Sequence, residues 1–249
     1  MTAETVAGCA PLTSWVTAAL DLIFPAHCPV CRTALGDQRR DPLCGACWAA
    51  IARVEPPWCI LCGIPRPGLA AAAMTTCPAC AMDRPSYDWA RAAASYEGPL
   101  REALHAFKFG RKRALAQPLA ALIAAQCGKD VVTDADVLVP VPLSSTRERE
   151  RGFNQAALLA DRLSRVLRLP ARARWLVRTR ATPPQSDLSA EERRTNVRDA
   201  FAASTAVAGH HVVVVDDVLT TGATAAACAV ALKSAGARMV GVVTVARVI

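Results

Sequence analysis

The sequence predicts an α/β protein in which a doubly wound parallel sheet follows a small Cys-rich domain. Three observations point to this architecture. Four Cys-x-x-Cys pairs crowd into residues 28–80. Beyond residue 87, long apolar segments alternate with segments of helical periodicity, which is the pattern of parallel βαβ units. The 249 residues are 53% hydrophobic and 20% charged, so the composition is that of a globular protein and not of a disordered one.

The first 27 residues are predicted to form a short amphipathic helix that packs on the domain behind it. This stretch has no basic leader and carries Asp21 within its apolar run, so it does not match a secretory signal peptide. No apolar run in the chain reaches the ~18 residues that suggest a membrane span. We therefore expect a cytoplasmic protein without membrane insertion.

Residues 28–84 are predicted to form a zinc-ribbon domain with two zinc ions. Each Cys-x-x-Cys pair can direct two thiolates at one ion, and two pairs complete a tetrahedral all-thiolate zinc site. An odd total of 11 cysteines without a secretion signal argues against a disulfide framework. Eight thiolates saturate two ions, so we expect both ions to be structural and to hold together a segment that is poor in core residues.

The pairing of the cysteines is open between two arrangements. Sequential pairing makes one site from the first two pairs and a second site from the last two, whereas a cross-braced arrangement combines the first pair with the third. His27 is a weak alternative ligand because it directly precedes the first cysteine. The sequential ligand sets are Cys28, Cys31, Cys44 and Cys47 for the first site, and Cys59, Cys62, Cys77 and Cys80 for the second.

Residues 85–249 are predicted to form the parallel-sheet domain. Continuous apolar runs at residues 137–143 (VLVPVPL) and 211–217 (HVVVVDD) are typical of strands that are covered on both faces. An Arg-rich loop is expected directly after the first of these strands. The other predicted elements are a helix at residues 153–167, a short strand at 175–180, a helix at 224–236 that is capped by Gly236, and a last strand at 238–249.

Two adjacent carboxylates, Asp216 and Asp217, stand at the predicted carboxyl end of a strand, where open parallel sheets bind their ligands. The turn behind them offers hydroxyls, a glycine that allows close backbone approach, and the free N–H groups of a helix N-terminus. These features together suit a phosphate. The turn consists of Thr220, Thr221, Gly222, Ala223 and Thr224.

The carboxylates indicate what kind of phosphorylated molecule fits the turn. They would repel a bare phosphate, but as groups that only accept hydrogen bonds they suit vicinal hydroxyls. Neither a Gly-x4-Gly-Lys-Ser/Thr loop nor a Gly-x-Gly-x-x-Gly motif occurs in the chain. The pattern therefore predicts a ribose 5-phosphate, with its anion in the turn and its diol on the acids.

Positive charge is concentrated in one part of the chain. The net charge is +8, and the segment from 146 to 198 holds 13 arginines against six acidic residues. Such a segment suits a phosphate-bearing partner, either a small molecule or a nucleic acid, although a solvated surface explains many single arginines equally well. Lys108 is a further candidate for contact with pyrophosphate, and the candidate arginines are Arg147, Arg149, Arg151, Arg193 and Arg194.

The stretch VVVVDDVLTTGAT at residues 212–224 resembles the phosphoribosyl-pyrophosphate motif of type I phosphoribosyltransferases. Three further stretches resemble the ComF (competence protein F, GntX-like) branch of that family, as does the Cys-rich front. The resemblance covers residues 22–249. The three stretches are SYEGPLREALHAFKFGRK at 95–112, VPVPLSSTRERERGFNQAALLA at 139–160 and RTRATPPQSDLSAEERRTNVRDAF at 178–201.

The resemblance implies a role for each part of the site. Asp216 and Asp217 would bind the 2- and 3-hydroxyls of the ribose, and residues 220–224 would hold the 5-phosphate. Arg147 and Arg151 would meet the pyrophosphate, and magnesium would bridge pyrophosphate and sugar. The family's chemistry is displacement of pyrophosphate through a cationic ribose.

Two functions of different classes follow. In the first, the protein is an active transferase that joins ribose 5-phosphate to a nucleobase or another acceptor. Because the chain stops directly after the last strand, we expect no C-terminal hood, and acceptor recognition would fall to the zinc segment and residues 87–112. In the second, the protein binds single-stranded DNA or DNA-uptake proteins and keeps the phosphoribosyl pocket as a sensor. The resemblance to the ComF branch implies a role in natural transformation under either function.

Overall fold

A computed structural model describes residues 26–35, 42–68, 75–180 and 199–249. The predicted N-terminal helix lies outside the described residues, apart from its last two positions. Most of the Ala-rich stretch GLAAAAMTT, Arg193 and Arg194 lie outside them as well. None of the helices in the described part of the chain combines the length and the apolar character needed to cross a membrane.

A four-stranded parallel sheet forms the centre of the protein. Its strands are β1 (Trp89–Ser95), β2 (Val137–Pro140), β5 (His211–Leu219) and β6 (Met239–Arg247), and they lie in the order β1-β6-β5-β2. All three pairings are parallel, with Val139 opposite Val214 and Val214 opposite Val242. The sheet is almost fully buried, as the continuous apolar runs of β2 and β5 predict.

Helices cover both faces of this sheet, so the predicted doubly wound architecture is confirmed. Along β5, Val213 and Val215 belong to one apolar core and Val212 and Val214 to the other, because successive side chains of a strand point to opposite faces. The first core includes residues of α3 (Gly98–Lys108), α4 (Ala116–Val132) and α6 (Gln155–Leu167). The second core includes residues of α7 (Ala223–Ser234) and of a separate two-stranded sheet, which is described below.

Two elements differ from the predictions. The expected Arg-rich loop after β2 contains a short helix, α5 (Ser145–Arg151), which the Ser144 side chain caps by accepting from the Arg147 N–H and which ends at a left-handed Gly152. The predicted strand at residues 175–180 shrinks to β3 (Leu176–Arg178). It pairs antiparallel with β4 (Phe201–Ala203) in a two-stranded sheet that is separate from the main sheet.

The Cys-rich segment packs against the sheet domain through backbone hydrogen bonds to β1. The Val54 N–H donates to the Ala93 carbonyl over 3.1 Å, and the Ala90 N–H donates to the Leu61 carbonyl over 2.6 Å. The segment contains two short helices, α1 (Gly45–Ala49) and α2 (Pro78–Met82), and each begins directly after a cysteine. These contacts place the segment along β1, at one edge of the sheet.

Candidate active site and metal centres

The acid pair lies within the last part of β5 and not beyond its end. β5 continues to Leu219, so Asp216 and Asp217 occupy its carboxyl-terminal half. Asp217 is only 8% exposed, and its N–H donates to Asp216 Oδ1 over 2.8 Å. Both acids line a cavity of about 220 Å³ above the ends of β2 and β5. This is the edge of the sheet at which parallel folds bind ligands.

Lys108 supplies a counter-charge to the acid pair. It is the last residue of α3, and its Nζ lies 3.0 Å from Asp217 Oδ1 with both side chains largely buried. Burial, reinforced by the Asp217 carboxylate, raises the pKa of Asp216 to about 7, and Lys108 and Arg151 oppose that rise. The site therefore holds two carboxylates, one of which ionises with difficulty until a cation or a hydrogen-bond donor arrives.

The turn after β5 has the form of an anion cradle. Gly222 adopts φ +79° and caps the N-terminus of α7, a helix of 12 residues whose first N–H groups face away from the helix body. Thr220 and Thr221 are exposed, and Thr221 Oγ1 accepts from the Ala223 N–H over 3.4 Å. Thr224 lies in the first turn of α7 and lines the same cavity as the acids. The structure thus brings the acid pair and the residues of the turn, except Thr221, to one cavity.

Arginines also line this cavity. Arg147 and Arg151, both on α5, line it together with Arg178 of β3. Arg151 donates to Gln155 Oε1 over 2.9 Å, and burial lowers the pKa of its guanidinium, an effect that the Asp217 carboxylate opposes. Arg178 lies over the ring of Phe201, 5.3 Å from its centroid. Three arginines therefore line the same cavity as the two acids.

Some residues at this site escaped identification from the sequence. Arg178 lies inside a stretch that resembles the ComF branch, but nothing in its local pattern singles it out. Lys108 was a candidate from the sequence, but its pairing with Asp217 was not predicted. Asn154 caps α6 by accepting from the Ala157 N–H, and its amide donates to the Val141 carbonyl over 3.0 Å, which fixes the loop after β2. Gln155 is 1% exposed, and its Nε2 has no hydrogen-bond partner among the described residues. The motif GFNQ was the available signal for Asn154 and Gln155.

The eight cysteines of the four pairs form two four-cysteine zinc-binding sites with the sequential pairing. Within each group of four, all Sγ atoms lie within 4.8 Å of one another. Tetrahedral zinc with bonds of about 2.3 Å to sulfur needs sulfur atoms about 3.8 Å apart. The Sγ–Sγ distance is 3.5 Å between Cys31 and Cys44 and 3.8 Å between Cys62 and Cys77. The residues present therefore fit zinc, and the cross-braced arrangement is not the one that the structure brings together.

Backbone N–H groups support the two thiolate clusters. The Cys47 N–H points to Cys44 Sγ over 3.4 Å, and the Cys77 N–H points to Cys59 Sγ over 3.3 Å. Four thiolates saturate each ion, which leaves no open coordination position for a catalytic water. The zinc sites are consequently structural in their chemistry.

Comparison with known proteins is consistent with this two-part organisation. Residues 19–82 match the family described as a double zinc ribbon domain, and residues 153–249 match the phosphoribosyl transferase domain. The fold is therefore that of a type I phosphoribosyltransferase-like domain behind a double zinc ribbon.

Several relatives match over most of the chain. It is 36% identical over 225 residues to DNA utilization protein YhgH of Escherichia coli O157:H7, covering 89% of this chain and 96% of that protein. It is 33% identical over 215 residues to competence protein F of Haemophilus influenzae, covering 81% and 88%. It is 28% identical over 190 residues to competence protein ComFC of Bacillus subtilis, covering 74% and 75%.

Proposed function

Since this chain belongs to the family of DNA utilization protein YhgH and competence protein F, with a phosphoribosyl transferase domain behind a double zinc ribbon, we propose that it binds phosphoribosyl pyrophosphate with magnesium and transfers ribose 5-phosphate to an acceptor. The names of these relatives further support a role of the transferase in competence, the handling of DNA that is taken up.

One observation carries the proposal: the acid pair, the arginines and the anion cradle apart from Thr221 share one cavity. A ribose 5-phosphate needs an anion site at one end and hydroxyl acceptors at the other. The N-terminus of α7 with Thr220 and Thr221 suits the first, and Asp216 with Asp217 suits the second. Arg147, Arg151 and Arg178 form a cationic wall for the remaining pyrophosphate.

The proposed reaction breaks the bond between C1 of the ribose and the pyrophosphate oxygen and forms a bond between C1 and the acceptor, which gives up a proton. The bond electrons leave with pyrophosphate, and positive charge develops on the ribose. Asp216 and Asp217 hold the hydroxyls and stabilise that positive charge, whereas the arginines stabilise the leaving anion. Magnesium, when bound, neutralises pyrophosphate charge, and the carboxylate oxygens of the acid pair fit a hard cation.

A thermal-shift titration with phosphoribosyl pyrophosphate and magnesium tests the binding step. We expect the stability of the wild-type chain to rise with the logarithm of ligand concentration above the dissociation constant, and Asp217→Asn to lose most of that stabilisation. Asp161→Asn is the matched control, because Asp161 lies on the exposed side of α6 beside Arg165. Wild-type protein that shows no stabilisation would refute the binding proposal.

Turnover is tested separately, by pyrophosphate release and mass spectrometry. Purified protein is incubated with phosphoribosyl pyrophosphate, magnesium and either a panel of nucleobases or cell extract. We expect one acceptor to gain the mass of ribose 5-phosphate as pyrophosphate appears. Ligand binding without release for any acceptor would favour the sensor function over the transferase.

A specific surface supports the second candidate function, binding of single-stranded DNA. Phe109 is 67% exposed, and Arg151 lies over its ring at 5.5 Å from the centroid. Arg111 and Arg113 donate to carbonyls of Glu150 and Gly152, which ties this basic segment to α5. An exposed aromatic ring among cations is a stacking platform for bases with phosphate contacts beside it.

The salt dependence of DNA binding tests this candidate. We expect log K for a single-stranded oligonucleotide to fall steeply with log salt and Phe109→Ala to weaken binding by about 1–3 kcal/mol. Val166→Ala, at another exposed apolar position, is the control. A flat salt dependence, or equal binding by both variants, would exclude this surface.

A further inference from the structure

The second zinc site and the anion cradle border the same cavity. A cavity of about 1050 Å³ has Thr220, Thr221 and Gly222 in one wall and the second-site ligands Cys62 and Cys80 in another. The first zinc site is placed differently. Among the described residues, none of its cysteines lines either cavity beside the cradle or makes a hydrogen bond to residues 219–224.

Tyr87 makes the first direct connection between the ribbon and the cradle. It follows the second zinc site along the chain and is 5% exposed. Its Oη lies 3.2 Å and its Cε1 3.7 Å from the position that a Cβ on Gly222 would occupy. On the ribbon side, the zinc ligand Cys62 packs against the apolar core that contains Tyr87.

Arg247 makes the second connection. It is the last residue of β6, is 5% exposed, and its guanidinium donates to the carbonyl of the zinc ligand Cys62. In the sheet Arg247 is paired with Leu219, and the next residue, Val248, donates its N–H to the Leu219 carbonyl over 3.0 Å. Leu219 directly precedes Thr220, so a short path joins a zinc ligand to the cradle.

We infer that Tyr87 and Arg247 are positioning residues through which zinc at the second site fixes the conformation of the cradle at residues 219–224, whereas zinc at the first site does not. Without the ion, the knuckle that presents the Cys62 carbonyl loses its fold. Arg247 then loses its acceptor, and Tyr87 loses the ribbon that presses it against Gly222. The consequence for ligand binding rests on the proposed role of the cradle as the 5-phosphate site.

Amide hydrogen exchange on the zinc-loaded full chain tests the structural part of this inference without any ligand. The readout is a peptide that covers residues 219–225, with a peptide of the buried strand β5 as internal reference. Cys62→Ser and Cys31→Ser are matched, because each cysteine is the second of its knuckle. We expect exchange at residues 219–225 to become at least threefold faster in Cys62→Ser and to stay at the wild-type rate in Cys31→Ser.

Variants of Tyr87 and Arg247 test the two positioning residues while both zinc sites stay intact. We expect faster exchange of the cradle peptide in Tyr87→Ala and Arg247→Met, with zinc content unchanged at two ions, and the wild-type rate in Tyr87→Phe, which keeps the ring. Equal exchange of the cradle in Cys62→Ser and Cys31→Ser would overturn the inference. An equal rise in the exchange rate of the β5 reference peptide would overturn it too, because the ribbon would then stabilise the whole domain and not the cradle alone.

A calorimetric titration with phosphoribosyl pyrophosphate and magnesium adds the functional consequence. We expect Arg247→Met to bind at least tenfold more weakly than the wild type, and Cys31→Ser to bind like the wild type. If the wild-type chain itself shows no binding, the proposed function fails, and the exchange experiment still decides the structural coupling. If Arg247→Met binds as tightly as the wild type, the coupling does not reach the ligand, and the inference fails.

Discussion

Replacing Lys108 with methionine is expected to destabilise the protein, because it removes the cation that faces the acid pair. Lys108 Nζ and Asp217 Oδ1 are 3.0 Å apart, and the two side chains are 16% and 12% exposed. At an effective dielectric constant of about 20 this pair attracts by about 5 kcal/mol, part of which offsets the desolvation of both groups. Losing one partner leaves a largely buried carboxylate beside a second one. We expect a loss of about 2–4 kcal/mol.

Urea denaturation of the zinc-saturated protein, followed by tryptophan fluorescence, measures this loss. Lys233→Met is the matched control, because Lys233 lies 2.8 Å from Asp88 Oδ1 but the side chains are 37% and 34% exposed. Its loss is expected to stay below about 1 kcal/mol. The two ion pairs thus have similar geometry and different burial.

A double variant separates charge from packing. Lys108→Met combined with Asp217→Asn removes both charges of the pair, so we expect it to recover at least half of the stability that Lys108→Met loses. The reasoning is refuted if Lys108→Met costs no more than Lys233→Met. It is equally refuted if the double variant is as unstable as the sum of its two single variants.

Three further outcomes follow from the site. Because the pKa of Asp216 is raised to about 7 in the folded protein, the free energy of unfolding falls as pH rises toward 7, and from pH 6 to pH 8 this group contributes a fall of about 1.4 kcal/mol. In Asp216→Asn most of this fall should vanish in urea titrations at the two pH values. Gly222→Ala should weaken phosphoribosyl pyrophosphate binding at least tenfold by calorimetry, whereas Gly209→Ala, with φ +75° and nothing within 4 Å of an added Cβ, should bind normally; equal affinities would contradict the role of the cradle. Metal analysis should find two zinc ions per chain and one in Cys77→Ser, and a protein that stays fully stable after metal removal would contradict structural zinc.

The central strands and the zinc sites were predictable because their signals are local. The four valines before Asp216 specify a strand that is buried on both faces, and the two-residue spacing of each cysteine pair specifies a metal knuckle. The threonine turn follows its strand directly in the chain. Strand, acids and cradle therefore come from one continuous stretch, which the sequence displays in order.

The parts that escaped prediction depend on distant or weakly patterned residues. The helix α5 has no buried residue, so it shows no apolar periodicity and reads as a loop. Lys108 reaches Asp217 across more than a hundred residues, and only the packing of α3 on the sheet brings them together. The separate two-stranded sheet pairs Leu176 with Ala203 across a long intervening segment. Strands of three residues are too short to show an alternation of apolar and polar residues.

In the proposed function, the acid pair and the anion cradle bind opposite ends of one sugar phosphate. A crystal structure of the zinc-loaded chain with phosphoribosyl pyrophosphate and magnesium tests it most directly. We expect the 5-phosphate within hydrogen-bond distance of the N–H groups at residues 221–224, with the ribose hydroxyls on Asp216 and Asp217. Ligand density in the larger cavity beside the second zinc site, with none at the acid pair, would contradict it.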